Sequence, residues 1–438
     1  MASDIQRSLS RLFPGIATMF SDLRNLDMEK LKDIPNQLRK MNGHDTLIFL
    51  QRINFQGVML LIVVFCVTVL VLYAQFMPET ERKRSKRANE NAAIGKSSRP
   101  LVKLGDPPIP PPTEIVSLRI YPIKSCRGFE TDMTRLKKTG LTLDRNWMFV
   151  NAETKEFLTI RSDPTMTLID TSIVDEPGPS GEEKDKIQML RISIRNTDTA
   201  VTVPAFPFPG WLSENTTLST VNIWEKDTDG YIYSEEINAP FSAFFSKPVN
   251  LVYKGPSPRN IATNGREELY GQPHSHLFAD VMSLQIASEA SIKDLNRRLQ
   301  HSPDSPDALT IERFRPNIIV RGRDSHPWEE DSWKRVRLQT FVREREALYK
   351  IDLDVVARCA RCQVPNVNPD TAEKNTKQPW EELMKFRRID MGGVAKYKPC
   401  FGMLCVPKNE GILKVGATLE VLETTSKHEY NTAKFADL

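Results

Sequence analysis

The 438-residue chain is poor in cysteine, with only Cys66, Cys126, Cys359, Cys362, Cys400 and Cys405. Six thiols so widely scattered do not make a disulfide scaffold, and they fit a reducing compartment. Neither GxGxxG nor GxxxxGK[ST] occurs, so a dinucleotide-binding turn and a P-loop are unsupported. Zinc-finger spacing and an RNP-like aromatic run are also missing, and the net charge is only +4. Nucleic acid is therefore not an expected partner. There are no internal repeats. What is present is an ordinary globular composition, 40% hydrophobic and 26% charged, in a length that allows two or three domains.

One uncharged run stands out. Residues 57–74 read GVMLLIVVFCVTVLVLYA, and about 18 to 20 such residues cross a bilayer as a helix that satisfies its own backbone. A buried core helix, the alternative, usually carries a polar stripe that this run lacks. A signal peptide would start earlier and end in a cleavage pattern. We therefore expect a single transmembrane helix at 55–76. Arg82, Lys83, Arg84, Lys86 and Arg87 follow it closely, against Arg39, Lys40 and Arg52 before it. That asymmetry puts the C-terminal side in the cytosol. Residues 1–54 mix acids with bases, unlike a transit peptide. Their Leu9, Leu12, Phe13, Ile16 and Phe20 suit either an amphipathic surface helix or a loose tail.

Residues 77–112 are basic and then proline-rich, ending DPPIPPP, which reads as a semi-rigid linker. Alternating apolar residues then predict strands from Thr113 onward and around Phe149, Leu158, Ile192 and Val201. They recur in NIIVRG, RVRLQT, LYKIDLDVVAR and ILKVGATLEVLE. Helical spacing is concentrated at 282–300, through Ile286, Ile292, Leu295 and Leu299, with Ser288 as N-cap before Glu289. The expected body is α+β and β-rich, in two parts, 113–255 and 256–425.

The strongest chemical signal is RCARCQVPNVNPDT, residues 358–371, after a β-like run. Cys359 and Cys362 at CxxC spacing suit a redox pair, half a zinc site, one ligand with a bystander, or two buried thiols at a strand end. Arg358 and Arg361 would stabilise a thiolate there, and a soft thiolate suits a soft metal. Basic and small polar residues also recur at strand ends: Lys124 and Ser125, Arg145, Arg161, then Arg315 and Asn317. Arginine forks and a lysine are what a phosphate on a heterocycle requires. Singly, each is an ordinary surface charge. His274, His276 and His326 lie in polar stretches and read as surface residues.

YPIKSCRG, GLTLDRNW, SEASIKDLNRRL, FRPNIIV, PWEEDSWKRV, RCARCQVPNVNPDT and GILKVGATLEVL, in this order, resemble the MOSC superfamily, and within it the amidoxime-reducing group. The resemblance covers 113 to about 425. It implies a MOSC N-terminal β-barrel-like domain followed by a MOSC β-barrel domain, here behind a single transmembrane helix. It also implies a molybdenum–molybdopterin cofactor with Cys362 as the metal's ligand. Lys124, Ser125, Arg145, Arg161, Ser288, Arg315 and Asn317 would bind that cofactor. Glu289 would stand near the metal as a proton relay, and Cys359 would be a bystander.

The activity so implied is reduction of N-hydroxylated compounds such as amidoximes, hydroxylamines and N-oxides. No iron–sulfur cysteine cluster follows the last strand, so electrons would come from a separate carrier, which the resemblance implies to be cytochrome b5 with NADH–cytochrome b5 reductase. The implied location is the mitochondrial outer membrane, although the long segment before the span leaves the endoplasmic reticulum as an alternative. Two other functions remain open. One is sulfur or persulfide transfer to molybdenum cofactor, against which stand the span and the missing pyridoxal-phosphate half. The other is a membrane-tethered cofactor carrier, which would need neither Cys362 nor Glu289.

Overall fold

The computed structural model describes residues 105–178, 186–262, 264–301 and 308–428, all within the unit Arg99–Leu438. The expected tail 1–54, the transmembrane helix 55–76 and most of the linker lie outside the described residues. Among the described residues no helix is long and apolar enough to cross a membrane.

Seven strands form a closed barrel. They are β1 (Thr113–Ile120), β2 (Leu284–Ser288), β3 (Ile318–Val320), β4 (Trp333–Val342), β5 (Ala347–Ala360), β6 (Cys400–Pro407) and β7 (Thr418–Thr424). They pair in the order β3-β2-β6-β5-β4-β7-β1, and β1 returns to β3. Closure leaves the ring without a free edge. Only β2 and β3 run parallel; a parallel pair needs a crossover, here helix α1 (Glu289–Leu299). β4 buries Val336, Leu338, Thr340 and Val342 and turns the residues between them outward, the period-two pattern of a strand with one wet face. β6 is buried at every residue.

The first half of the chain lends β1 to this barrel. It also forms a four-stranded antiparallel sheet of Trp147–Asn151, Val249–Lys254, Lys226–Tyr233 and Thr216–Ile223, in that order. One hydrophobic cluster runs from Ile115 and Trp147 through Phe241 to Leu338 and Val421. Both halves thus share a core.

Two local expectations change. Residues 282–300 are not one helix, because Leu284–Ser288 is a strand buried at every residue between β3 and β6. A short apolar run of this kind fits a doubly covered strand as well as a helix. The helix itself begins at Glu289, and Ser288 Oγ accepts from the Ser291 N–H at 3.1 Å, the expected cap. The segment around Leu158 makes only isolated bridges, Val150 with Phe157 and Glu156 with Asn222. The end of the proline-rich stretch lies against the barrel: Ile109 packs on the core, and Thr424 Oγ1 donates to the Pro107 carbonyl at 2.5 Å.

Candidate functional site

Cys359 and Cys362 lie where β5 ends. Its pairing with β6 slips between Arg358 and Ala360, and such an irregularity bends a strand and re-aims its side chains. Both sulfurs face one cavity of about 410 Å³, a volume typical of small-molecule sites. Lys124, Ser125, Arg145, Arg161, Arg315, Asn317 and Arg361 line the same cavity. Seven of the nine residues proposed from sequence are thereby brought together.

The turns that deliver them are strained. Ser125, Arg145 and Arg315 have φ of 70°, 51° and 56°, a left-handed backbone that costs energy for residues bearing a Cβ and clusters at binding sites. Arg145 is held by both Asp144 oxygens at 2.5 and 2.6 Å and donates to the Arg315 carbonyl at 3.2 Å. Arg315 in turn donates to the Cys126 carbonyl at 2.6 Å. Both guanidiniums stack on Tyr121, 4.5 and 4.3 Å from its ring centre. Asn317 donates to the Arg119 carbonyl and accepts from Gln285 N–H, each at 3.2 Å.

Asp280 is the hub that sequence reasoning missed. It pairs with Lys124 and accepts from Arg161 at 3.3 Å and from Trp224 Nε1 at 3.1 Å. Burial alone would raise its pKa, but Lys124 and Arg161 outweigh that and hold the carboxyl well below the usual range. Burial draws Lys124 down to about 8, with Asp280 opposing. For Arg161, desolvation is more than offset by Asp280 and the Cys362 sulfur, so its pKa is raised. Arg161 thus connects the carboxylate to the sulfur. On the other thiol, Arg361 Nη1 donates to Cys359 Sγ at 2.9 Å and to Gln285 Oε1 at 3.3 Å. Burial raises the Cys359 pKa despite Arg361, which keeps it a neutral thiol.

Arg315 Nη2 and Arg361 Nε are buried and lack a hydrogen-bond partner among the described residues. Orphaned cationic donors on a cavity wall fit an anionic ligand such as a phosphate. Among the described residues no group of three or more His, Cys, Asp or Glu can hold a metal ion. The four-cysteine zinc alternative is therefore not formed. Cys400 and Cys405 are buried in β6, and burial pushes Cys400 up to about 12. A metal that brings most of its own ligands and takes one thiolate from the protein fits this donor set.

Ser288 and Glu289 are not brought into the cavity. The start of β2, Leu284 and Gln285, lines it, and three further strand residues, Ile286 to Ser288, carry the chain about 10 Å away. There Ser288 Oγ donates to Glu330 at 3.2 Å, and Glu289 lies within electrostatic reach of Arg321. The expected place of Glu289 beside the sulfur is not met. His274 and His276 are not surface residues either: each is 3% exposed. Burial lowers His274 to about 4 and His276 well below its ordinary value. His326 is exposed as expected.

Residues 113–248 match the MOSC N-terminal beta barrel domain, and residues 273–420 match the MOSC domain. The chain belongs to the MOSC family, with a β-rich, seven-stranded barrel body. Human mitochondrial amidoxime-reducing component 1 is 26% identical over 315 residues, 70% of this chain and 82% of that protein. The molybdenum cofactor sulfurase of Oryza sativa subsp. japonica is 30% identical over 300 residues, 66% of this chain and 32% of its own length. The chain therefore spans about a third of the sulfurase. Among solved structures, the YUAD protein from Bacillus subtilis aligns with a TM-score of 0.27 and 8% identity, over 70% of this chain and 94% of that one.

Proposed function

We propose that the chain is a molybdenum-cofactor-dependent reductase of N-hydroxylated compounds, among them amidoximes, hydroxylamines and N-oxides. One observation carries the reading: Cys362 shares a cavity with Lys124, Arg145, Arg161, Arg315 and Arg361. Cys362 would ligate the molybdenum. Lys124, Ser125, Arg145, Arg315 and Asn317 would hold the pterin and its phosphate, and the orphaned donors of Arg315 and Arg361 would be satisfied by the anion. When bound, the cofactor supplies the two electrons that reductive removal of oxygen from nitrogen requires. The overall change consumes two electrons and two protons, breaks the N–O bond and releases water. The protein's own part is binding and orientation. Arg161 stands at the Cys362 sulfur, Asp280 fixes Arg161 and Lys124, and Tyr121 spaces Arg145 and Arg315.

With the catalytic cavity on this chain, electrons would arrive from a separate carrier, cytochrome b5 with NADH–cytochrome b5 reductase. The protein would sit in the mitochondrial outer membrane, as the names of its relatives suggest, held by 55–76 with its body in the cytosol; the endoplasmic reticulum is the alternative. A second reading, sulfur or persulfide transfer to molybdenum cofactor, is favoured by the 30% identity to the rice sulfurase and by two thiols in one cavity.

The test is benzamidoxime reduction by purified, cofactor-loaded protein with a competent electron donor, beside mass analysis for a persulfide on Cys359 or Cys362. Reduction lost in Cys362→Ser supports the reductase. A loaded protein that reduces nothing and carries a persulfide supports sulfur transfer; one that reduces nothing and carries none is a cofactor carrier.

A further inference from the structure

Lys398 lines the cavity that holds Cys362. β5 and β6 pair Ala360 with Cys400, and the Arg361 N–H donates to the Pro399 carbonyl at 2.8 Å. Cys362 and Lys398 lie directly beyond these contacts, outside the last paired residues of β5 and β6, and both line the cavity.

Most of the neighbouring cations have a partner, and the donors left over on Arg315 and Arg361 are those assigned above to the cofactor's anion. Lys124 and Arg161 share Asp280, Arg145 holds Asp144, and Arg361 donates to Gln285 and Cys359. The Lys398 ammonium has no ion-pair or hydrogen-bond partner among the described residues. The same cavity also has an apolar wall, where Val281, Met282 and Leu404 pack with Ala395 against Cys359 and Ala360. A hydrocarbon wall and a free ammonium in the cavity that holds Cys362 suit a molecule with an apolar body and an anionic end.

We propose that Lys398 determines substrate specificity, favouring N-hydroxylated compounds that carry a carboxylate on an aromatic or aliphatic body. This rests on the reductase reading above. The ammonium binds the anionic end and not the N–O bond, so it takes no part in the electron or proton count of the reduction.

The test compares benzamidoxime with 4-carboxybenzamidoxime on the cofactor-loaded full chain, as wild type, Lys398→Ala, Lys398→Arg and Lys398→Glu. Three quantities are read: kcat/KM for each substrate, molybdenum content, and the Kd of 4-carboxybenzamidine against benzamidine by tryptophan fluorescence. Wild type is expected to prefer the carboxylated substrate. Lys398→Ala lowers the ratio of the two kcat/KM values about tenfold, through KM, as loss of one charge-assisted hydrogen bond does. Arginine restores most of the ratio, glutamate lowers it further, and the Kd of the carboxylated ligand rises in step. An unchanged ratio, with both amidoximes turned over, overturns the inference and leaves the reductase reading standing. A loss of molybdenum, or an equal fall in kcat for both substrates, moves Lys398 to cofactor binding or chemistry and also overturns it. If loaded wild type reduces neither amidoxime, the reductase reading fails, and the Kd comparison alone decides the subsite.

Discussion

Arg145 donates to the Arg315 carbonyl at 3.2 Å across 170 positions of sequence, and both side chains stack on Tyr121. The contact joins the two halves of the chain at the cavity. It also packs two guanidiniums together in a desolvated place, and burial with Arg145 nearby lowers the Arg315 pKa. Arg315 has no carboxylate within ion-pair distance among the described residues. An apolar side chain of similar length relieves its desolvation and its repulsion by Arg145, which offsets the hydrogen bond lost to the Cys126 carbonyl. Arg315→Met is therefore expected to leave cofactor-free protein within about 1 kcal/mol of wild type in urea unfolding, while molybdenum retention falls at least tenfold. A protein that loses several kcal/mol instead holds Arg315 for structure.

Lys124 gives the cavity a pH dependence. Its pKa in the fold is about 8, below the ordinary 10.5, so between those values the unfolded chain binds more protons than the folded one. Its contribution to folding stability therefore rises as pH climbs through that window. Anion binding moves the opposite way, because the cavity loses positive charge. Sulfate binding to cofactor-free protein, followed by calorimetry, should weaken between pH 7 and pH 9, and Lys124→Met should flatten that slope.

Asp280 should be worth more than any one cation it holds. Without its carboxylate the buried Lys124 ammonium loses its ion pair, and Arg161 and Trp224 lose an acceptor. Lys124 is buried but Asp280 is more than a third exposed. Breaking the pair from the carboxylate side then costs about 1 to 2 kcal/mol, less than for a fully buried pair. Asp280→Asn is expected to lower stability by about that amount and to shift Trp224 emission. Melting and fluorescence unchanged from wild type would show that Asp280 does not organise the wall.

Ser288 and Glu289 should behave as a helix start. Ser288→Ala is expected to cost about 1 kcal/mol, the loss of an N-cap, with molybdenum content intact. Glu289→Gln is expected to leave amidoxime turnover at the wild-type rate. A large fall in turnover would restore the proton-relay role.

The contrast between these residues shows what the sequence carries. Lys124, Arg145, Arg161, Arg315 and Cys362 were legible because each belongs to a short motif at a strand end, where loops bear function. The cap at Ser288 was legible too, since a local hydrogen bond depends on local sequence. Glu289 was misplaced because nothing in SEAS tells which end of the preceding strand faces the cavity. Leu284–Ser288 itself read as helix, since burial on both faces removes the alternation that marks a strand. Asp280, Trp224 and Lys398 carry no motif and acquire their places only through pairings distant in sequence. His276 is a two-residue bridge partner of Arg259, and only the folded core makes it a buried residue.

The most direct test of the account is the molybdenum and pterin content of purified full-length protein, compared among wild type, Cys359→Ser and Cys362→Ser by elemental analysis and pterin fluorescence. The account predicts near-stoichiometric metal in wild type and Cys359→Ser and its loss from Cys362→Ser, with folding unaltered. Metal retained in full by Cys362→Ser, or absent from wild type produced with ample cofactor, would contradict it.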